Sequence, residues 1–152
     1  MSWTPLNLAA DEYVKPSTPP ALCGLIYTGA RHVISGPPET AKTLFAFVVA
    51  LEHLRAGGVA AVIDFEMGPR ATRTLLGDVG ATHDEIQAVY YVEPDSPPDE
   101  QDIQAMLDAG VTLVIIDAAA GAYDASELDD NDRKDVEKFA RTCLSGSVRC
   151  GE

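Results

Sequence analysis

The sequence predicts an α/β domain of three layers, α/β/α, built on a mainly parallel sheet. Three observations carry that prediction. Residues 31 to 50 pass from a short apolar stretch through the turn Gly-Pro-Pro-Glu-Thr-Ala into a strongly apolar helix. Two further apolar runs, 59 to 65 and 113 to 116, have the length of buried strands and end in acids: Asp64 with Glu66, and Asp117. Segments with helical spacing separate these runs, and such alternation gives parallel strands with helices on both faces.

Residues 1 to 20 mix isolated hydrophobes with Pro5, Pro16, Pro19 and Pro20, the composition of a loosely docked arm. The domain proper is expected from 21 to 152. Residues 22 to 29 are apolar but broken by glycines, giving a loop or short strand in which Tyr27 is read as a core tyrosine, with stacking on a base as the alternative. A strand over 31 to 35 leads into a helix from 42 to 56. That helix is apolar on nearly all sides, which calls for cover on both faces, and Gly57-Gly58 end it. The strand over 59 to 65 then completes a right-handed βαβ unit.

Gly68-Pro69 opens a helix over 69 to 78 stopped by Gly80, and Thr82 with Glu85 reads as a capping box for one further turn. A strand follows at 89 to 92, then a Pro-rich acidic loop. The helix over 99 to 109 sets Ile103, Met106 and Leu107 on one face. After the strand at 113 to 116 comes a loop, 118 to 130, at the carboxyl edge of the sheet, where ligands of such folds sit. A last helix, 131 to 144, carries Val136, Phe139, Ala140, Cys143 and Leu144 at helical spacing.

Composition narrows the function. With 152 residues, 46% of them hydrophobic, the chain is long enough for one domain with a real core. The formal charge of −13 arises beyond residue 58, because the amino-terminal part is balanced, and an acidic surface is a poor match for nucleic acid. Cys23, Cys143 and Cys150 are widely spaced without a C-x-x-C pair, which suggests neither zinc nor a disulfide framework and fits a reducing cytoplasm. The first twenty residues lack the apolar core of a signal peptide, and the longest apolar run, 44 to 51, is too short to span a bilayer.

The turn at 36 to 43 is read as a phosphate site. Against G-x-x-x-x-G-K-[ST], Gly36 opens the loop, Pro37, Pro38, Glu39 and Thr40 form it, and Lys42 and Thr43 close it, with Ala41 where the second glycine is expected. Such a curl points consecutive N–H groups inward, and the helix that follows adds its positive dipole end. Lys42 would reach the outer phosphates of ATP, and the Thr43 hydroxyl would ligate Mg²⁺. Ala41 places a Cβ near the phosphates, yet a helical φ/ψ is open to it. The plainer alternative is a Gly-Pro-Pro turn with Lys42 and Thr43 solvated.

Two acidic constellations complete the chemistry. Asp117 is delivered to the end of a buried strand and, behind a phosphate loop, is read as holding Mg²⁺ through water. Asp64 and Glu66 alternate with apolar neighbours, which sets both on one strand face opposite Phe65. Glu66, nearer the strand's end, is the candidate to orient or deprotonate the attacking water.

The segments Gly-Pro-Pro-Glu-Thr-Ala-Lys-Thr, Val-Ile-Asp-Phe-Glu-Met-Gly-Pro and Leu-Val-Ile-Ile-Asp together resemble the RecA-like core of the P-loop ATPases. The closest likeness is to the RepA-type branch of hexameric helicase and recombinase AAA ATPases. The resemblance implies that Lys42 and Thr43 are the Walker A pair, that Asp117 is the Walker B aspartate, and that Glu66 is the catalytic glutamate acting with Lys42. It also implies Mg²⁺-dependent ATP binding, a role linked to DNA replication or recombination, and a homo-oligomer at full length. Ala41 departs from the family's usual glycine. The chain also ends at Glu152, before further strands and the DNA-contacting loops that the family would carry. DNA contact is therefore expected only through other regions or partners, and hydrolysis by the isolated chain is expected to be weak. An arginine from a neighbouring subunit normally completes such sites, and Arg70, Arg73, Arg133 and Arg141 are the candidates here. Two alternatives stand beside this reading: a non-catalytic module that holds nucleotide or a partner, and a P-loop kinase of a small molecule, which the absence of basic residues from 118 to 132 disfavours.

Overall fold

The structure, a computed structural model, describes residues 22 to 96 and 98 to 118. They belong to two units that divide between Val33 and Ile34. The arm at 1 to 20, the loop expected at 118 to 130 beyond its first residue, and the helix expected at 131 to 144 lie outside the described residues.

In the first unit Leu22 and Ile26 form an isolated antiparallel bridge around a turn at Cys23-Gly24, both at positive φ. The Tyr27 N–H donates to His32 Nε2 at 3.0 Å, and the two rings stack with centroids 6.2 Å apart. Tyr27 is 43% exposed, so it is not the core residue expected of it; its ring lies on an imidazole.

The strand expected at 31 to 35 is not formed. Residues 30 to 36 carry no regular structure and all are exposed, Val33 at 91%. The run has strand-forming residues, but a strand exists only through a ladder partner, and among the described residues this one has none. The βαβ unit expected over 31 to 65 is therefore absent. The parallel sheet arises further along the chain.

Its elements are α1 (Lys42–Arg55), β1 (Ala60–Asp64), α2 (Pro69–Asp78), α3 (His83–Gln87), β2 (Tyr90–Val92), α4 (Glu100–Asp108) and β3 (Leu113–Asp117). The strand order is β2-β1-β3, with both pairings parallel. β1 is buried along its whole length, as a central strand covered on both faces must be. On one face Val62 packs with Phe47 of α1 and Leu76 of α2, joined by Tyr91 and Ile115. On the other, Ala61 and Ile63 pack with Met106 of α4 and Val111, joined by Tyr90 and Ile116. These are the three layers the sequence predicts. α1 buries Phe47, Val49, Ala50 and Leu51 but leaves Val48 exposed, so its cover is an arc rather than complete.

Local chemistry fixes the boundaries. Pro69 occupies the first turn of α2, and the expected capping box of α3 is present, with Thr82 and Glu85 bonded reciprocally. Arg55 donates to Glu85 at 2.7 Å and holds that carboxyl down at about 2, with help from the Thr82 N–H. Asp99 and Asp102 form a second capping box on α4. At the carboxyl end of α1, His53 Nε2 meets Thr112 Oγ1 at 2.7 Å, tying this end to the entry of β3. The helix ends at Arg55 with Gly57 beyond it at φ 87°, and a Cβ at Gly58 would run into that imidazole, so the chain passes His53 on a glycine.

Candidate functional site

α1 is followed by only a short turn before β1, so the chain reverses and the amino end of α1 faces the carboxyl edge of the sheet. The loop from Gly36 enters at that end. Residues 36 to 41 are exposed, while Lys42 and Thr43 are half-buried in the first turn of α1. The loop is held by its own polar groups. Thr40 Oγ1 donates to the Pro37 carbonyl at 2.8 Å, and Lys42 Nζ donates to the carbonyls of Gly36 at 3.0 Å and Pro37 at 2.8 Å. A Cβ on Gly36 would come within 3.1 Å of Thr40 Oγ1, so the glycine permits this closure.

Ala41 corrects an expectation. It is the N-cap of α1 and stands at φ 61°, ψ 25°, in the left-handed region rather than a helical one. Glu39 shares that conformation at φ 61°. The curl thus requires the geometry for which glycine is the usual residue, and alanine adopts it at a cost of about 1 kcal/mol. Among the described residues no side chain caps the amino end of α1, and no acid lies in its first turn, so its leading N–H groups and positive dipole end are left uncapped at the loop.

At the carboxyl edge β1 and β3 bring two aspartates into register, Asp64 opposite Asp117. The Phe65 N–H donates to the Asp117 carbonyl at 2.7 Å and extends this pairing. Alternation puts Asp117 on the face of Ile115, the same face against which α1 packs. Asp117 Oδ2 is buried and, among the described residues, has no hydrogen-bond partner. Such an oxygen is costly unless a donor or cation meets it.

Asp64 is its opposite. At 1% exposure it is among the most buried side chains, and both of its oxygens are engaged. Oδ1 accepts the N–H groups of Glu66 and Met67, each at 2.9 Å. Oδ2 accepts the hydroxyls of Thr72 at 2.7 Å and Tyr91 at 2.9 Å. Burial pushes this carboxyl up, but the Met67 and Glu66 N–H groups and the two hydroxyls outweigh it and hold it below the usual carboxylate range. Burial and the bond to Asp64 together push the Tyr91 hydroxyl up to about 12.

Glu66 does not share the strand face of Asp64, as alternation would have it. β1 ends at Asp64 and residues 65 to 67 bend, so the pleat does not aim Glu66; its side chain is exposed. Thr72 and Tyr91 were not evident from the sequence as partners of this acid. Register supplies the signal for Tyr91, which pairs with Val62 and so lies on the Asp64 face.

The donor set suits a hard, oxygen-seeking cation. Among the described residues no group of three or more His, Cys, Asp or Glu could cage a metal. Mg²⁺ needs no such cage, because it takes one or two protein oxygens and fills its octahedron with phosphate and water. The orphaned Asp117 Oδ2 and the Thr43 hydroxyl fit that role.

A family model described as an AAA domain matches residues 4–151. The chain belongs to this family. It is accordingly a P-loop ATPase-like nucleotide-binding domain, in keeping with its parallel α/β sheet. No curated protein and no solved structure matches the chain. Among the described residues of this AAA domain, no helix is long and apolar enough to cross a membrane.

Proposed function

We propose that this AAA domain binds ATP with Mg²⁺ in the loop at 36 to 43 and hydrolyses it, with Asp117 and Thr43 holding the metal and Glu66 orienting the attacking water. The observation that carries the reading is the buried Asp117 Oδ2, without a partner among the described residues, on the sheet face that α1 covers. When bound, Mg²⁺ neutralises charge on the β- and γ-phosphate oxygens. Lys42 exchanges its two carbonyl partners for phosphate, and the N–H groups leading into α1 receive the remaining charge. Turnover by an isolated chain is slow, because a cation supplied by a second chain is worth about 10³ to 10⁵ in rate in related phosphoryl transfers.

Titration calorimetry tests this reading. ATP affinity should rise with Mg²⁺ in the wild type, and Asp117→Asn should abolish that rise while leaving metal-free binding in place. Equal Mg²⁺ dependence in the two proteins would remove Asp117 from the site.

The finer assignment, to a RepA-type ATPase serving DNA replication or recombination, is supported by the order of the three motifs. With a net charge of −13, the isolated chain should bind single-stranded DNA weakly at physiological salt. Micromolar affinity by fluorescence anisotropy would overturn that expectation.

A further inference from the structure

Asp64 receives more donors than a turn requires. A strand-end aspartate can cap the next two N–H groups from the surface, with its second oxygen in water. Here the second oxygen is buried as well, and two hydroxyls from separate elements, Thr72 on α2 and Tyr91 on β2, close on it. Valine and phenylalanine in place of Thr72 and Tyr91, with an apolar residue in place of Asp64, would fill this space with no buried charge to satisfy, so the polar set serves something other than packing. What it fixes is the bend at 65 to 67, whose one outward carboxylate is Glu66. Gly68, at φ 78° and ψ 165°, then turns the chain into α2, so the bend is held at both ends.

We propose that Asp64, clamped by Thr72 and Tyr91, is a positioning residue that sets the place of the Glu66 carboxylate for ATP hydrolysis. The inference rests on the role given to Glu66 above. Asp64 itself touches no substrate; it acts through the backbone N–H groups of Glu66 and Met67. Tyr91 makes the turn answerable to β2, the strand on the far side of β1 from Asp117. A small displacement of a catalytic group is enough to lower the rate by about 10²-fold, so the clamp acts on kcat rather than on nucleotide affinity.

The experiment is a double-mutant cycle on phosphate release by the full chain at saturating Mg²⁺-ATP, using wild type, Tyr91→Phe, Glu66→Gln and the combination. Tyr91→Phe keeps the ring and removes only the hydroxyl, which guards against the unfolding that Asp64→Ala risks. Tyr91→Phe should lower kcat about tenfold with KM changed less than about twofold, and should lower it no further in the Glu66→Gln background. An equal fall in both backgrounds, or no fall in either, overturns the positioning role while Glu66 keeps its own. If wild type shows no release, or Glu66→Gln matches wild type, the role of Glu66 fails first and the positioning role falls with it.

Discussion

The loop at 36 to 43 and the bend at 64 to 68 both stand at the carboxyl edge of one sheet, yet they are held in opposite ways. The loop is exposed, strained at Glu39 and Ala41, and secured by its own lysine and threonine. The bend is tied by a buried carboxylate to α2 and β2. A segment whose polar groups must exchange partners on binding ATP gains from bonds that water can replace. One that must hold a carboxylate in place gains from bonds that water cannot reach. Mutations should therefore separate the two regions: the bend reads out as stability, the loop as affinity.

The largest effect is expected at the bend. Asp64→Ala strands two N–H groups and two hydroxyls and should lower unfolding free energy by about 3 kcal/mol or more in urea titration. A loss below about 1 kcal/mol would mean that water satisfies the cluster and that the contrast is false. In the loop, Lys42→Ala should leave stability within about 0.5 kcal/mol, because its partners are exposed carbonyls. It should weaken ATP binding tenfold or more, since a charge-assisted contact is worth about 1.5 to 3 kcal/mol. Unchanged affinity by calorimetry would withdraw the phosphate site.

pH sharpens the comparison further. Asp64 is held below its ordinary value and Glu85 is lowered to about 2, so both stabilise the fold above the usual carboxylate range. That stability should be lost as pH falls, the Glu85 contribution going between 4.5 and about 2. Tyr91, raised to about 12 from 10.0, stabilises below pH 10 and loses its contribution as pH climbs through that interval. Thermal melts of wild type and Tyr91→Phe between pH 9 and 12 should converge as the wild type loses its advantage, and parallel curves would separate Tyr91 from the clamp. The smallest effect is at Ala41. Ala41→Gly relieves left-handed strain but loosens the unfolded chain, for a net gain of about 0.5 kcal/mol. ATP binding should stay equal or improve, and a large loss would mean that the loop binds in another geometry.

Elements fixed by local chemistry were legible in the sequence. Gly68-Pro69 and Gly80 bracket α2, and Thr82 with Glu85 caps α3 as expected. The strands ending at Asp64 and Asp117 were legible because short apolar runs bounded by turns suit a covered parallel sheet. What depends on a distant partner was not. Residues 31 to 35 have the composition of a strand, but composition does not supply a neighbour. Ala41 looked compatible with a helix because the left-handed curl is set by the loop as a whole. Asp64 was set beside the Glu66 carboxylate by alternation, whereas the side chains that meet it, Thr72 and Tyr91, come from two other elements. Of the candidate site, spacing proposes Lys42, Thr43 and Asp117, but it carries no sign of the difference between a satisfied and an orphaned aspartate.

The strand order β2-β1-β3 also governs how the chain is assembled. As synthesis proceeds, β1 can pair with β2 once Val92 is available, but its other edge waits for residues 113 to 117. During that interval the central strand of the sheet presents a row of unpaired amides beside uncovered Ala61 and Ile63, the condition under which nascent chains associate with one another. Non-local parallel pairing is slow to close, so the two capping boxes, which stabilise α3 and α4 from adjacent residues alone, offer early local order while the central strand waits for its second neighbour.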